Sequence, residues 1–169
     1  MTENPMRQIR IEKVTVNMGA GEAGAKLDNS VKLIEKLTGA KIVITKTHKR
    51  TTFGGPKKKP IGAKTTLRGK KAEEFLELML KAVENKLRKK QFDVNGNFSF
   101  GIKEYIDIPG VKYDPDIGIM GMDICVTLQR PGYRVKNRKI NQRKIGMKHN
   151  IKKEDSMEFM KTRFKVEVV

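Results

Sequence analysis

Residues 61–68, IGAKTTLR, alternate with the two-residue period of a β-strand. One face of this strand holds Ile61, Ala63, Thr65 and Leu67, and the other holds Gly62, Lys64, Thr66 and Arg68. The first face predicts contact with a core, because a half-buried strand is apolar on its covered side. The second face is polar and basic without bulk, which suits close approach of an RNA backbone as well as plain exposure to solvent. This strand alone does not decide between those two interpretations.

Residues 9–17 predict a second strand, because they are rich in Ile, Val and Thr. The alternation along this strand slips once. Ile9 and Ile11 are in one phase, whereas Val14 and Val16 are in the other. The slip falls near Lys13 and predicts a β-bulge, in which one extra residue shifts the phase of the strand.

The remaining segments predict helices and further strands. Helices are predicted over 27–37, 71–90 and 157–164, and strands over 42–45, 98–108 and 122–128, with a β-branched end at 166–169. Helices and strands do not alternate regularly as they do in βαβ units. The sequence therefore predicts an α+β fold, in which an antiparallel β-sheet has two or three helices packed on one face. No repeat or linker divides the chain, so we expect residues 1–169 to form a single domain.

The charge of the chain indicates a polyanionic partner, with nucleic acid as the first to consider. Its 169 residues include 37 Lys and Arg against 19 Asp and Glu, which gives a net charge of +18. No apolar run approaches the roughly 20 residues that cross a bilayer, and no signal-peptide pattern is present. We therefore expect a cytoplasmic protein with no membrane contact. The single cysteine, Cys125, excludes an intrachain disulfide and a multi-cysteine zinc site.

Two segments contain the whole excess of positive charge. Residues 41–70 include ten basic residues and no acid, and residues 130–153 include another ten, again with no acid. A single run of this kind is often a solvated face or a disordered tail. Both segments, however, also contain apolar anchors such as Ile61 and Ile151, and turn residues such as Pro131. They predict two ordered surfaces for phosphates, a protruding basic loop at 46–60 and a basic C-terminal extension at 130–153.

Residues 19–24, GAGEAG, match the G-x-G-x-x-G pattern of dinucleotide sites. Such a site expects an acidic residue at the end of the next strand, but that strand ends here in Thr45 and Lys46, and no further βαβ units follow. The glycines are better explained as a turn that permits close backbone approach. We therefore expect no cofactor.

The histidines and the acidic pair in the loops do not predict chemistry. His48 and His149 lie in the basic segments, where no acid is available to orient an imidazole, so contact with phosphate or solvent is the better expectation. Asp114 and Asp116 flank a proline, which is typical of a turn rather than a metal site. The chain is not expected to be an enzyme.

Several long motifs, in this order, resemble a known family. They are 11–19 (IEKVTVNMG) with 21–23 (GEA), 60–64 (PIGAK) with 66–69 (TLRG), 96–101 (GNFSFG), 113–115 (YDP), 121–123 (GMD) and 130–134 (RPGYR). The resemblance covers nearly the whole chain, which is identified as a member of the family of the large-subunit ribosomal protein numbered five, in its archaeal form. It implies a structural protein that binds 5S rRNA and helps attach it to the large subunit in the central protuberance.

The resemblance also implies which residues meet each partner. In that family one sheet face meets the 5S rRNA, and a protruding loop reaches toward the peptidyl-site tRNA and a small-subunit bridge protein. The residues implied for 5S rRNA are Asn17, Met18, Gly19, Lys46, Lys64, Thr66 and Arg68. Those implied for tRNA and the bridge are His48, Lys49, Arg50, Lys57, Lys58 and Lys59. Those implied for contact of the extension with large-subunit rRNA are Arg130, Tyr133, Arg134, Lys136, Arg138, Lys139, Arg143 and Lys144.

Residue chemistry and resemblance predict the same mechanism. Lys and Arg on phosphates supply affinity, while RNA shape and a few polar contacts supply specificity, next to other 5S-binding ribosomal proteins. Two alternatives stay open. A general nucleic-acid-binding architectural protein would share the charge but would bind RNA and DNA of equal length alike. An RNA-modifying enzyme would need a cofactor site, for which the glycine turn is the only candidate in the sequence.

Overall fold

Five strands form an antiparallel sheet in the computed structural model, which describes residues 4–21, 23–48, 50 and 57–169. Their order across the sheet is β2 (Val43–Lys46), β3 (Pro60–Leu67), β1 (Arg10–Gly19), β6 (Met122–Gln129) and β5 (Phe98–Ile102). The long strand β1 is central and pairs with β3 on one side and with β6 on the other. The predicted α+β fold with an antiparallel sheet is confirmed.

Helices cover one face of this sheet. Helix α1 (Ala25–Thr38) packs on β3 and β1, and α2 (Lys70–Ala82) packs on β1. Val14 and Val16 of β1 are at most 1% exposed, and Leu33 of α1 and Leu76 of α2 are fully buried. Burial of a side chain of this size stabilises a fold by roughly 1.5–3 kcal/mol, so the covered face holds sheet and helices together. A third helix, α4 (Lys153–Phe164), joins the same core through Met160.

The predicted irregularity in β1 is a β-bulge. Between Ile11 and Lys13 the register advances by two residues in β1 but by only one in β6. One residue of β1 therefore has no counterpart, and the phase of the strand shifts by one. As a result, Ile11 before the bulge and Val14 after it both lie in the core, although they are three positions apart.

Helix α2 is shorter than the helix predicted over 71–90. It ends at Ala82, after which Glu84 and Asn85 take φ angles of 54° and 56° and turn the chain. The chain then enters β4 (Lys86–Leu87), which pairs in parallel with β7 (Glu167–Val168). Leu87 is fully buried there. A continued helix would also have offered Leu87 a core position, so helical spacing alone did not distinguish the two structures.

Other element boundaries also differ from the predicted ones. The strand predicted over 98–108 ends at Ile102, because a 3-10 turn (Tyr105–Asp107) follows and buries Tyr105. The hydroxyl of Tyr105 accepts the backbone N–H of Asp114 at 2.9 Å and so anchors the loop that leads to β6. Helix α4 begins at Lys153 rather than at 157. None of the described helices is both long and apolar enough to cross a membrane.

The glycine-rich segment at 19–24 is a turn between β1 and α1. Gly21 and Gly24 have φ angles of 74° and 130°, which residues with a side chain rarely adopt. The backbone N–H groups of Ala20 and Gly21 donate to the carbonyl of Ile61 at 2.9 and 3.1 Å, which ties the turn to β3. Helix α1 connects β1 to β2, but β3 lies between them and is antiparallel to both, so the segment lacks the directly paired parallel strands of a dinucleotide site. Glu22 lies outside the described residues.

The basic extension is held against the body by a cluster that we call the latch: Arg130, Tyr133, His149 and Asp155. Arg130 Nη2 donates to Asp155 Oδ2 at 2.9 Å, and Arg130 Nη1 donates to the carbonyl of His149 at 3.4 Å. The Tyr133 hydroxyl donates to the same carbonyl at 3.3 Å and accepts the backbone N–H of Ile151 at 3.0 Å. These bonds join the start of the extension to its end.

Three latch residues were expected to contact a ligand or solvent. The sequence predicts Arg130 and Tyr133 as contacts to rRNA and His149 as a contact to phosphate or solvent. In the structure the Arg130 side chain is only 12% exposed, Tyr133 is 7% exposed, and His149 Nε2 lies 2.9 Å from the carbonyl oxygen of Pro131. Arg130 Nη1 and Nη2, the Tyr133 hydroxyl and His149 Nε2 thus bond within the protein, whereas the buried Arg130 Nε has no hydrogen-bond partner among the described residues. The short helix α3 (Arg134–Asn137) follows directly and presents its side chains from this fixed base.

We expect Tyr133→Phe to loosen the extension without unfolding the sheet. The substitution leaves the buried N–H of Ile151 without its acceptor, which costs about 1–3 kcal/mol. Amide hydrogen exchange should accelerate at residues 146–151 and stay slow in β1 and β6. Tyr113→Phe is the matched control, because Tyr113 is 53% exposed on another loop. Equal exchange in the two variants would contradict a role for the latch.

Candidate nucleic-acid interface

The sheet face opposite the helices, which we call the open face, is polar and has few large side chains. It includes Thr15, Asn17 and Gly19 of β1, Lys64 and Thr66 of β3, Asp123 and Cys125 of β6, and Ser99 and Gly101 of β5. The apolar Val43 of the edge strand β2 lies opposite Lys64 on the same face. Every one of these residues is exposed or half-exposed. Side chains alternate between the faces of a strand, so this polar surface lies directly behind the apolar core.

The strand register aligns the open face in rows that cross the sheet. In one row Asn17 lies opposite Lys64 on one side and opposite Asp123 on the other, and Gly101 continues the row beyond Asp123. In the next row Thr15 lies between the threonine of β3 and the cysteine of β6. Cβ atoms of such neighbours are about 4.5–5.5 Å apart. One nucleotide on this face can therefore contact several side chains.

One end of the open face forms a shallow cavity of about 420 Å³, which we call the glycine cavity. Its lining includes Asn17, Gly19, Gly101, Lys103, Gly121 and Asp123. A Cβ atom at Gly121 would lie 2.8 Å from the carbonyl oxygen of Lys103, so this position requires glycine. A Cβ atom at Gly19 would meet nothing within 4 Å. The missing side chain of Gly19 thus leaves open space above the sheet.

The structure brings together four of the seven residues implied for 5S rRNA: Asn17, Gly19, Lys64 and Thr66. Met18 faces the opposite way and is 2% exposed in the core, so its side chain is not part of the open face. Lys46 is exposed at the end of the edge strand β2. Arg68 follows β3, with Nη1 3.9 Å from Glu12 Oε1. These two cations lie at the margin of the interface rather than within its rows.

The predicted protruding loop connects the antiparallel strands β2 and β3. Thr47 closes its base, because the N–H of Thr47 donates to the Lys59 carbonyl and its own carbonyl accepts the N–H of Lys58, both at 2.9 Å. His48, Arg50, Lys57 and Lys58 are exposed and Lys59 is half-exposed. Lys49 and residues 51–56 lie outside the described residues.

The other cations of the extension face solvent more than the latch residues do. At least part of the surface is exposed for Arg134, Lys136, Arg138, Lys139, Arg143 and Lys144. Lys136 Nζ lies 4.7 Å from the centre of the Tyr133 ring, a cation–π contact. Arg138 Nε donates to the carbonyl of Asn141 at 2.8 Å. The latch therefore provides the base on which these positive side chains are displayed.

In β1, β5 and β6, four polar residues of the open face were not assigned to a site from the sequence: Thr15, Ser99, Asp123 and Cys125. The alternation of apolar residues along each strand was sufficient to place them away from the core. The alternation does not give the order of the strands, which places β6 beside β1 and β5 beside β6. A search for polar positions out of phase with the core in every strand would have found all four.

Two protein-family models match the chain. The model described as ribosomal protein L5 matches residues 4–52, and the model described as the ribosomal L5P family C-terminus matches residues 60–159. The first match includes β1, and the second includes β3, β5 and β6. These four strands, like β2 at the edge of the sheet, therefore fall within matched segments.

Curated relatives are similar over almost their whole length. The large ribosomal subunit protein uL5 of Sulfurisphaera tokodaii is 52% identical, with 99% of this chain and 96% of the relative covered. The uL5 protein of Methanococcus vannielii is 52% identical, with 99% and 94% covered, and that of Methanobrevibacter smithii is 47% identical, with 98% of each covered. The chain therefore belongs to the ribosomal protein L5 family, as an archaeal-type member.

Proposed function

We propose that this chain is a structural constituent of the large subunit of the cytoplasmic ribosome, where its open face binds 5S rRNA and helps attach it in the central protuberance. The observation that supports this most directly is the open face itself, a polar surface with little bulk on a protein of net charge +18. Family membership supports the same conclusion, because the ribosomal protein L5 family is a structural, non-enzymatic component of the ribosome.

The open face suits an irregular RNA loop better than a regular duplex. Sequence-specific recognition of RNA targets loops whose bases are free to hydrogen-bond with side chains. Asn17, Thr66 and Thr15 offer amide and hydroxyl groups that both donate and accept. Lys64 in the same surface supplies a phosphate contact. Affinity then comes from cations at and around the face, and specificity from the neutral polar groups.

The two basic segments serve other partners in this proposal. The loop between β2 and β3 contacts the peptidyl-site tRNA and a small-subunit bridge protein through His48, Arg50 and the lysines at 57–59, and Lys49 is assigned to the same contact by sequence alone. The extension contacts large-subunit rRNA through its exposed cations. Arg130 and Tyr133 act there by positioning, since the Arg130 Nη groups and the Tyr133 hydroxyl are bonded within the protein.

A general nucleic-acid-binding architectural protein is the competing function, because the charge alone would suit it. Labelled 5S rRNA bound to the purified protein at physiological salt, challenged with tRNA, duplex DNA and unlabelled 5S rRNA, separates the two. We expect only 5S rRNA to compete efficiently, because specific affinity exceeds nonspecific phosphate binding by several orders of magnitude. Equal competition by every polyanion would leave only charge as the basis of binding.

The open face and the loop should be separable by mutation. Asn17→Ala combined with Thr66→Ala removes polar contacts worth about 1 kcal/mol each, so 5S rRNA affinity should fall by about tenfold or more. Replacement of Lys57, Lys58 and Lys59 by alanine should leave 5S rRNA affinity largely intact and reduce tRNA occupancy of the peptidyl site in reconstituted subunits. Equal loss of 5S rRNA binding in the two variants would contradict this division.

Gly19→Ala tests whether RNA approaches the backbone of the open face. The added methyl has no neighbour within 4 Å and the φ angle there is ordinary, so thermal stability should not change. If RNA fills that space, overpacking should weaken 5S rRNA binding by about tenfold. Gly146→Ala is the matched control, because it also has nothing within 4 Å and lies in the extension. Unchanged binding by Gly19→Ala would show that RNA does not approach this position.

A further inference from the structure

An acidic residue lies in the middle of the surface that we propose for RNA. Asp123 is exposed on the open face, directly opposite Asn17. Within the described residues, no hydrogen bond or ion pair engages its carboxylate, whereas the carboxylates of Asp155, Asp114 and Glu73 all have cationic partners. An unpaired carboxylate repels phosphate, so this position opposes the nonspecific attraction that the rest of the charge provides.

Asp123 and Asn17 lie opposite each other in the β1–β6 register at the glycine cavity. Both residues line that cavity, together with three glycines that contribute no side chain. A Cβ atom at Gly101 would lie 3.3 Å from Asp123 Oδ1, so the glycine leaves the space that the carboxylate occupies. At about 420 Å³ the cavity falls within the roughly 300–1,000 Å³ of small-molecule pockets, which is enough for a single nucleotide base.

A carboxylate and a carboxamide that line one cavity favour a ligand with two adjacent N–H donors next to an acceptor. The ionised carboxylate only accepts hydrogen bonds, and its two oxygens suit two parallel N–H donors. Among RNA groups, the Watson–Crick edge of guanine has two adjacent N–H donors, at N1 and N2, next to the O6 acceptor. The Asn17 amide group has N–H donors for O6. Adenine and uracil lack the adjacent donor pair, and phosphate has no donor.

We propose that Asp123 and Asn17 together bind the Watson–Crick edge of one unpaired guanine of the RNA in the glycine cavity. This inference rests on the proposed function, and it assigns base specificity to a residue of the same face. Asp123 accepts from guanine N1–H and N2–H, and Asn17 donates to O6. The negative charge then serves discrimination, because it admits a base edge with donors and rejects phosphate.

The decisive variant is Asp123→Asn, for which simple electrostatics and this proposal predict opposite results. The substitution adds one unit of positive charge, so nonspecific attraction predicts equal or tighter RNA binding. Loss of a bidentate base contact predicts roughly tenfold weaker 5S rRNA binding. Glu74→Gln makes the same charge change at an exposed position of α2, on the helix side of the sheet, and should bind equally or slightly more tightly.

Chemical probing of the RNA identifies the base. Kethoxal modifies unpaired guanines at N1 and N2, so the proposal expects at least one 5S rRNA guanine that wild-type protein protects and Asp123→Asn leaves reactive. Inosine at that position lacks the N2 amino group. It should weaken binding of the wild-type protein by about fivefold or more and have little further effect on Asp123→Asn.

The outcomes separate the two proposals. If 5S rRNA binds wild-type protein no better than tRNA or DNA, the proposed function itself fails. If wild-type protein binds 5S rRNA specifically but Asp123→Asn binds as well as Glu74→Gln does, the role of Asp123 is overturned. Experiments on the wild-type protein alone can also overturn it. They would do so if the protein protected no 5S rRNA guanine, or if inosine at every protected position left binding unchanged.

Discussion

The pairing of β1 on both of its edges is the constraint on which the rest of the structure depends. Its hydrogen bonds to β3 and β6 set one phase for the whole sheet, with Val14 and Val16 toward the helices and Thr15 and Asn17 toward the open face. A slip of one residue would exchange these two sets, because the side-chain period is two. Core and proposed interface are thus two sides of the same strand, and burial of the first fixes the position of the second.

The bulge near Lys13 keeps the first residues of β1 in contact with the same core. It allows Ile11 to enter the core although the phase of Val14 would otherwise exclude it. The latch fixes the basic extension, because Arg130 and Tyr133 bond to Asp155 and Ile151 at the end of that segment. The positive charges of a chain of net charge +18 repel one another, so the basic extension needs contacts that are neutralised or apolar to hold it in place. Asp155 neutralises the charge of Arg130, and the buried ring of Tyr133 provides an apolar contact.

Prediction from sequence succeeded where the signal was local and failed where two structures satisfied the same pattern. The alternation in residues 61–68 was sufficient for β3 and its two faces. Leu87 suited both a longer helix and the strand β4, and only pairing with β7 decided between them. The internal bonds of Arg130 and Tyr133 were not predicted, because hydrogen bonds to backbone groups distant in sequence leave no local pattern.

The sequence by itself determined the strands and their faces, the bulge, the polyanionic partner class and the family, because each follows from spacing, composition or motif order along the chain. Only the tertiary structure decided which polar residues share a surface. Asn17 and Asp123 are more than 100 positions apart, and the β1–β6 register brings them opposite each other. The structure also decided which cations are displayed and which are bonded within the latch. The physical reason is that side-chain alternation is a property of one strand, whereas register and burial arise from pairing between distant segments.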